Sequence, residues 1–120
     1  GGSWSQGADA PKPAGRHLRE LPSGMIGAWG WSTKSCANGD DDLRMIVASN
    51  SVQFYASFYR LQSIVMTSDR TIRASALVNE EGYDSTSQGT IQLKLVAANR
   101  LRVRSEHGFD HVYFRCAIHR

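Results

Sequence analysis

Thr71-Ile72-Arg73-Ala74-Ser75-Ala76-Leu77-Val78 is the stretch that decides the fold class. A strand turns successive side chains to opposite faces. Ile72, Ala74, Ala76 and Val78 therefore share one apolar face, as a half-buried strand requires. The same period recurs on both sides. Downstream, Thr86 to Leu95 turns Ile91, Leu93 and Leu95 inward and Thr90, Gln92 and Lys94 outward. Arg100 to Ser105 turns Leu101 and Val103 inward and its arginines outward, and Phe109 to Ile118 forms the last strand. Upstream lie Tyr59 to Val65, Val52 to Tyr55, Leu43 to Ala48 and Met25 to Trp31, the last with Gly27, Trp29 and Trp31 on one face. Turn signals separate them, among them Ser49-Asn50-Ser51, Asn79-Glu80-Glu81-Gly82 and Glu106-His107-Gly108. About eight strands at roughly 8–12-residue spacing predict an all-β, antiparallel sandwich or barrel. We expect the barrel, over residues 24–120.

Residues 1–23 read differently. They hold all three prolines, Pro11, Pro13 and Pro22, together with Gly1, Gly2, Gly7 and Gly15, and show no strand period. This composition predicts a flexible tail or linker. Within it, His17-Leu18-Arg19-Glu20-Leu21 could close one turn of helix.

Two cysteines frame the barrel. Cys36 follows the first strand and Cys116 falls within the last. Their positions favour one disulfide tying the ends of the sheet together. A cross-link closing a loop of about 80 residues is worth on the order of 4 kcal/mol in the chain-entropy model, which rivals the net stability of a small domain. Such a bond implies an oxidising compartment. The alternative is two buried thiols in a cytosolic barrel.

The 120 residues suit one domain, and a hydrophobic fraction of 41% supplies one modest core. No stretch approaches the roughly 20 apolar residues of a membrane helix. The net charge of +3 is a weak pointer to nucleic acid, so the distribution of charge matters more than its sum.

Catalytic constellations are missing from the sequence. There is no Gly-x-Ser-x-Gly elbow and no His-Glu-x-x-His. Glu80 and Glu81 are adjacent, and neighbours in extended chain point apart. His107 and His111 span a predicted turn with no third ligand in view. Asn38, Asp40 and Asp42 alternate like the start of a calcium loop, but Leu43 and Ser49 stand where such a loop needs Gly and Glu. We expect no enzyme, no cofactor and no metal.

Binding residues are easier to nominate. Arg100, Arg102 and Arg104 form one row on a strand face, with Arg115 and Arg73 on strands that could flank it. Such a row suits a carboxylate- or phosphate-rich partner, or simply keeps a strand soluble. Trp29 and Trp31 could line a pocket at the barrel mouth, or fill the core, since small barrels hold little beyond their own side chains. Phe54-Tyr55 and Phe58-Tyr59 could stack bases as OB-folds do, or serve as core and rim.

One run resembles a known group. The Gly-x-Trp opening, Cys36 five residues after Trp31, an Asp-rich loop, Arg44-Met45-Ile46-Val47 and Val52-Gln53-Phe54-Tyr55 are similar to a family of small exported bacterial proteins of uncharacterised function. The likeness covers Gly27 to about Val65, plus Cys116. Ala56 stands where that pattern carries Glu. The resemblance implies a lipocalin-like small barrel, a cell-envelope location and no catalysis. A looser similarity runs to periplasmic inhibitor barrels of lysozymes and proteases. The string nearest to the lysozyme-inhibitor loop, Ser85-Thr86-Ser87-Gln88-Gly89, lacks its Ser-Gly-x-x-Tyr pattern.

The resulting expectation is a non-catalytic exported protein, periplasmic or secreted, tethered through its N-terminal segment. It would bind another envelope macromolecule, a protein or an anionic polymer, through Arg100, Arg102, Arg104 and Arg115. The alternatives are a small ligand beside Trp29 and Trp31, inhibition of a hydrolase through a loop such as residues 79–84, and OB-like binding of single-stranded nucleic acid. The sequence leaves the oligomeric state open.

Overall fold

The computed structural model describes residues 15–32, 36, 43–82, 86–106 and 108–116. They form nine strands: β1 (Arg16–Leu18), β2 (Gly27–Gly30), β3 (Arg44–Val47), β4 (Ser51–Gln53), β5 (Ser57–Ser68), β6 (Thr71–Glu80), β7 (Thr86–Ala97), β8 (Arg100–Ser105) and β9 (Asp110–Arg115). From β2 to β9 each strand pairs antiparallel with the next, and β9 returns to pair with β2. The result is a closed, eight-stranded up-and-down barrel with one extra strand. Period 2 accounts for it directly. The alternate residues Ile72, Ala74, Ala76 and Val78 of β6 and Ile91 and Leu93 of β7 are buried, while Arg73 and Lys94 between them are exposed. Closure also removes the free edges an open sheet would present.

The extra strand corrects two expectations. His17 and Leu18 are extended rather than helical, paired with Val65 and Ile64 of β5. The first half of β5 pairs with the short β4 on the edge away from β6, which leaves that edge of the second half open until β1 arrives. Unmet backbone groups on β5 outweigh the helical preference of so short a segment. Structure therefore begins earlier than residue 24. Leu21 is 2% exposed, its N–H bonds to Ser49 O at 2.8 Å, and the Asn50 side chain donates to Arg19 O at 2.7 Å. The remaining expected tail, residues 1–14, and the Asp-rich loop over 37–42 lie outside the described residues.

A single 3-10 turn, Ser23–Met25, closes one end of the barrel. Met25 and Trp29 fill that end with Met45, Val47, Ile72, Leu93 and Leu101, all at most 1% exposed. Arg115 clamps it. The guanidinium lies 4.3 Å over the Trp29 ring and donates to Ile26 O at 3.1 Å and to Gly24 O. The Trp29 indole N–H donates to Met25 O at 3.0 Å. Gly27 has φ of +137°, and a Cβ there would sit 3.1 Å from Arg115 Nη1, so both conformation and space call for glycine.

Cys36 and Cys116 form the disulfide, across a sequence separation of 80. It lies at the seam where first and last barrel strands meet. That seam has only two register pairs, Trp29↔Arg115 and Gly30↔Phe114, with Cys116 N–H adding a bond to Ala28 O at 2.9 Å.

Candidate ligand-binding site

The strand faces that pack the closed end carry different side chains at the other. Continuing the inward parity, β2 ends toward Trp31, β4 toward Phe54, β5 begins at Tyr59, β6 ends at Glu80 and β9 contributes Tyr113. Together with Phe109, these residues line a cavity of about 430 Å³ whose floor includes the buried Ile91 and Val103. The rings touch in sequence. Trp31 meets Tyr113 edge-on at 6.5 Å, Tyr113 meets Phe109 at 6.5 Å, Phe109 meets Phe54 at 6.2 Å, and Phe54 meets Tyr59 at 5.5 Å. His111 stacks on Trp31 at 3.7 Å from outside this arc.

Small residues lie near this space. Ala76 and Gly89 are register partners, and Ala56, in the link between β4 and β5, lines the cavity. A Cβ on Gly89 would come 2.9 Å from Val78 Cγ2 and 3.9 Å from Tyr59 Cε2. Glycine at 89 thus leaves room for Val78, with the Tyr59 ring at ordinary contact distance. An eight-stranded barrel can hold one small ligand where its side chains do not fill it.

The polar groups of the cavity are few. Ser57, Ser105, the phenols of Tyr55, Tyr59 and Tyr113, and the Glu80 carboxylate are its polar side chains, with the Trp31 indole. Burial pushes the Tyr59 phenol above its ordinary pKa, and the Glu80 and Glu106 charges push it further the same way. Burial also raises Tyr113, against a smaller opposing effect of a hydrogen bond with Trp31. Both phenols are neutral donors at physiological pH.

The nominated residues separate into three places. Trp31 lines the cavity, whereas Trp29 is completely buried beneath Arg115 at the opposite end. Arg100, Arg102 and Arg104 do form an outward row on β8. Arg102 makes a two-pronged bond to Asp110, 2.9 Å from Nε and 2.7 Å from Nη2, and Arg104 Nε is 3.7 Å from the same carboxylate. Arg102 holds the Asp110 carboxyl below its usual range. Arg100 lies 5.0 Å over the Phe114 ring. Arg115 does not join the row, because its side chain is turned to the closed end. Arg73 is on the outer face two strands away, with Gln92 between it and Arg104.

The four neighbouring aromatics divide likewise. Phe54 and Tyr59 face the interior, Tyr55, 65% exposed, sits on the rim of the cavity, and Phe58 lies outside. His107 and part of the 79–84 loop lie outside the described residues. Among the described residues no group of three metal-ligating side chains forms, and no helix is long and apolar enough to cross a membrane.

Phe109, Tyr113 and Glu80 were not nominated from sequence. The signal was present in parity. Phe109 and Tyr113 are four apart on one strand, so both share a face, and Glu80 continues the inward set Ile72, Ala74, Ala76 and Val78 by one more step.

No known family model, curated protein or solved structure matches this chain.

Proposed function

We propose that this is a non-enzymatic binding protein that takes a small, largely apolar ligand into the aromatic cup at the open end of its barrel. The observation that carries the reading is the contrast between the two ends. One is packed to exclusion around Trp29, and the other keeps a cavity of about 430 Å³ framed by six aromatic rings. That volume falls within the usual range for small-molecule sites, and an apolar lining with few convergent polar groups is their usual chemistry. The disulfide supports an exported, oxidising location, and the motif likeness to small exported bacterial barrels points the same way. The outer arginine row supports macromolecular binding less well, because Asp110 already engages Arg102 and Arg104 and Arg115 faces elsewhere.

Titration with the neutral fluorophore N-phenyl-1-naphthylamine tests the reading. Saturable enhancement at one site per chain is expected. Ala56→Trp, at an exposed position lining the cup, should abolish it while leaving the melting temperature nearly unchanged. Replacing Arg100, Arg102 and Arg104 together by Gln should leave it intact. Absence of saturable binding, or binding indifferent to Ala56→Trp, overturns the proposal.

A further inference from the structure

We infer that the ligand of this cup is an organic cation, an ammonium group on an apolar body, with its charge held among the aromatic rings and the Glu80 carboxylate. The inference rests on the cup being a ligand site and specifies what it selects. Three observations carry it.

The first is the sign of the lining. The chain has fourteen Lys and Arg against eleven Asp and Glu, yet the described lining of the cavity includes one carboxylate and no Lys or Arg. Two cations of the neighbouring strands are engaged elsewhere, Arg102 with Asp110 outside the barrel and Arg115 at the closed end. The second is the ring arrangement. Trp31, Phe54, Tyr59, Phe109 and Tyr113 all line one space, and the faces of such π-systems attract a cation and repel an anion. The third is Glu80 itself. It ends β6 opposite Ser57, at the junction of the cup and a second hollow outside it that shares Phe54, Tyr55, Ala56 and Ser57. Glu80 has no ion-pair partner among the described residues. A neutral apolar ligand would cover that carboxylate without compensating it. An ammonium group compensates it and gains the ring faces together.

Displacement of N-phenyl-1-naphthylamine by three matched competitors, each below its micellar concentration, tests this. Octyltrimethylammonium, octanol and octanoate share a chain and differ in charge. The cation should compete about tenfold more strongly than octanol, with octanoate weakest. Glu80→Gln should remove most of the roughly tenfold preference for the cation over octanol, both competitors being measured on the same variant. Glu80→Asp should retain a preference for the cation. Normal fluorophore binding with no preference for the cation, or a preference undiminished by Glu80→Gln, overturns the inference and leaves the cup standing. Absence of fluorophore binding removes both.

Discussion

The guanidinium of Arg115 joins three parts of the chain that are distant in sequence: the last strand, the Trp29 ring at 4.3 Å, and the carbonyls of Gly24 and Ile26 at the 3-10 turn. Charge-assisted hydrogen bonds to half-buried carbonyls and a sheltered cation–π contact make this a costly residue to remove. Arg115→Ala should lower unfolding free energy by about 2–4 kcal/mol in urea titrations. Arg115→Lys should recover less than half, because an ammonium cannot reproduce the planar fork. A loss under about 0.5 kcal/mol, the usual range for an ordinary surface site, would refute the clamp. Tyr59 and Tyr113 supply a second test at this scale. Their pKa values are raised in the folded state, so ionising them costs only the folded state. Stability should be flat below the ordinary tyrosine value near pH 10 and fall as pH climbs through the higher folded values. Replacing both by Phe should flatten that alkaline limb, and an unchanged limb would contradict the assignment.

Strands β6 and β7 pair over nine register positions, with Ala76 opposite Gly89. Gly89→Val would place side-chain atoms against Val78 and Tyr59 in a strand with no room behind it. We expect a loss of about 1–3 kcal/mol from overpacking and weaker fluorophore binding, as the Tyr59 ring is driven into the cavity. Retained affinity in a folded variant would show that this wall does not shape the site. Such strands were the most legible part of the sequence, because each alternates over a long run and packs one face on the core. β1 was not legible. Three residues show no period, and what makes them a strand is the unpaired half of β5, a long-range requirement. Arg115 was readable only in part. Grouping it with Arg100, Arg102 and Arg104 follows residue type, but its parity with Tyr113 places it inside. The cup itself depends on which inward residues happen to be small at one end, and no local pattern reports that.

Across the whole molecule, closure is uneven. The seam between β2 and β9 has two register pairs, against ten between β5 and β6. The disulfide lies beside the weak joint, and a cross-link of this span is worth on the order of 4 kcal/mol by restricting the unfolded chain. Reduction, or replacement of Cys36 and Cys116 by Ser, should therefore lower stability by several kcal/mol. It should also raise amide exchange first in β2 and β9, with β5 to β7 still protected. Uniform acceleration across all strands would mean that the bond does not guard the seam. In the proposed reading the clamp, the 3-10 turn and Trp29 stabilise one end while the other takes the ligand.

Chemical-shift mapping on the isotopically labelled protein, with N-phenyl-1-naphthylamine added stepwise, tests that division most directly. The account predicts that the largest shifts fall on the Trp31, Tyr59 and Tyr113 rings and the Ile91 and Val103 methyls, while Trp29, Leu93 and the Arg102–Asp110 pair barely move. Largest shifts on the outer face of β8 and β9, or at the end closed by Trp29, would contradict it.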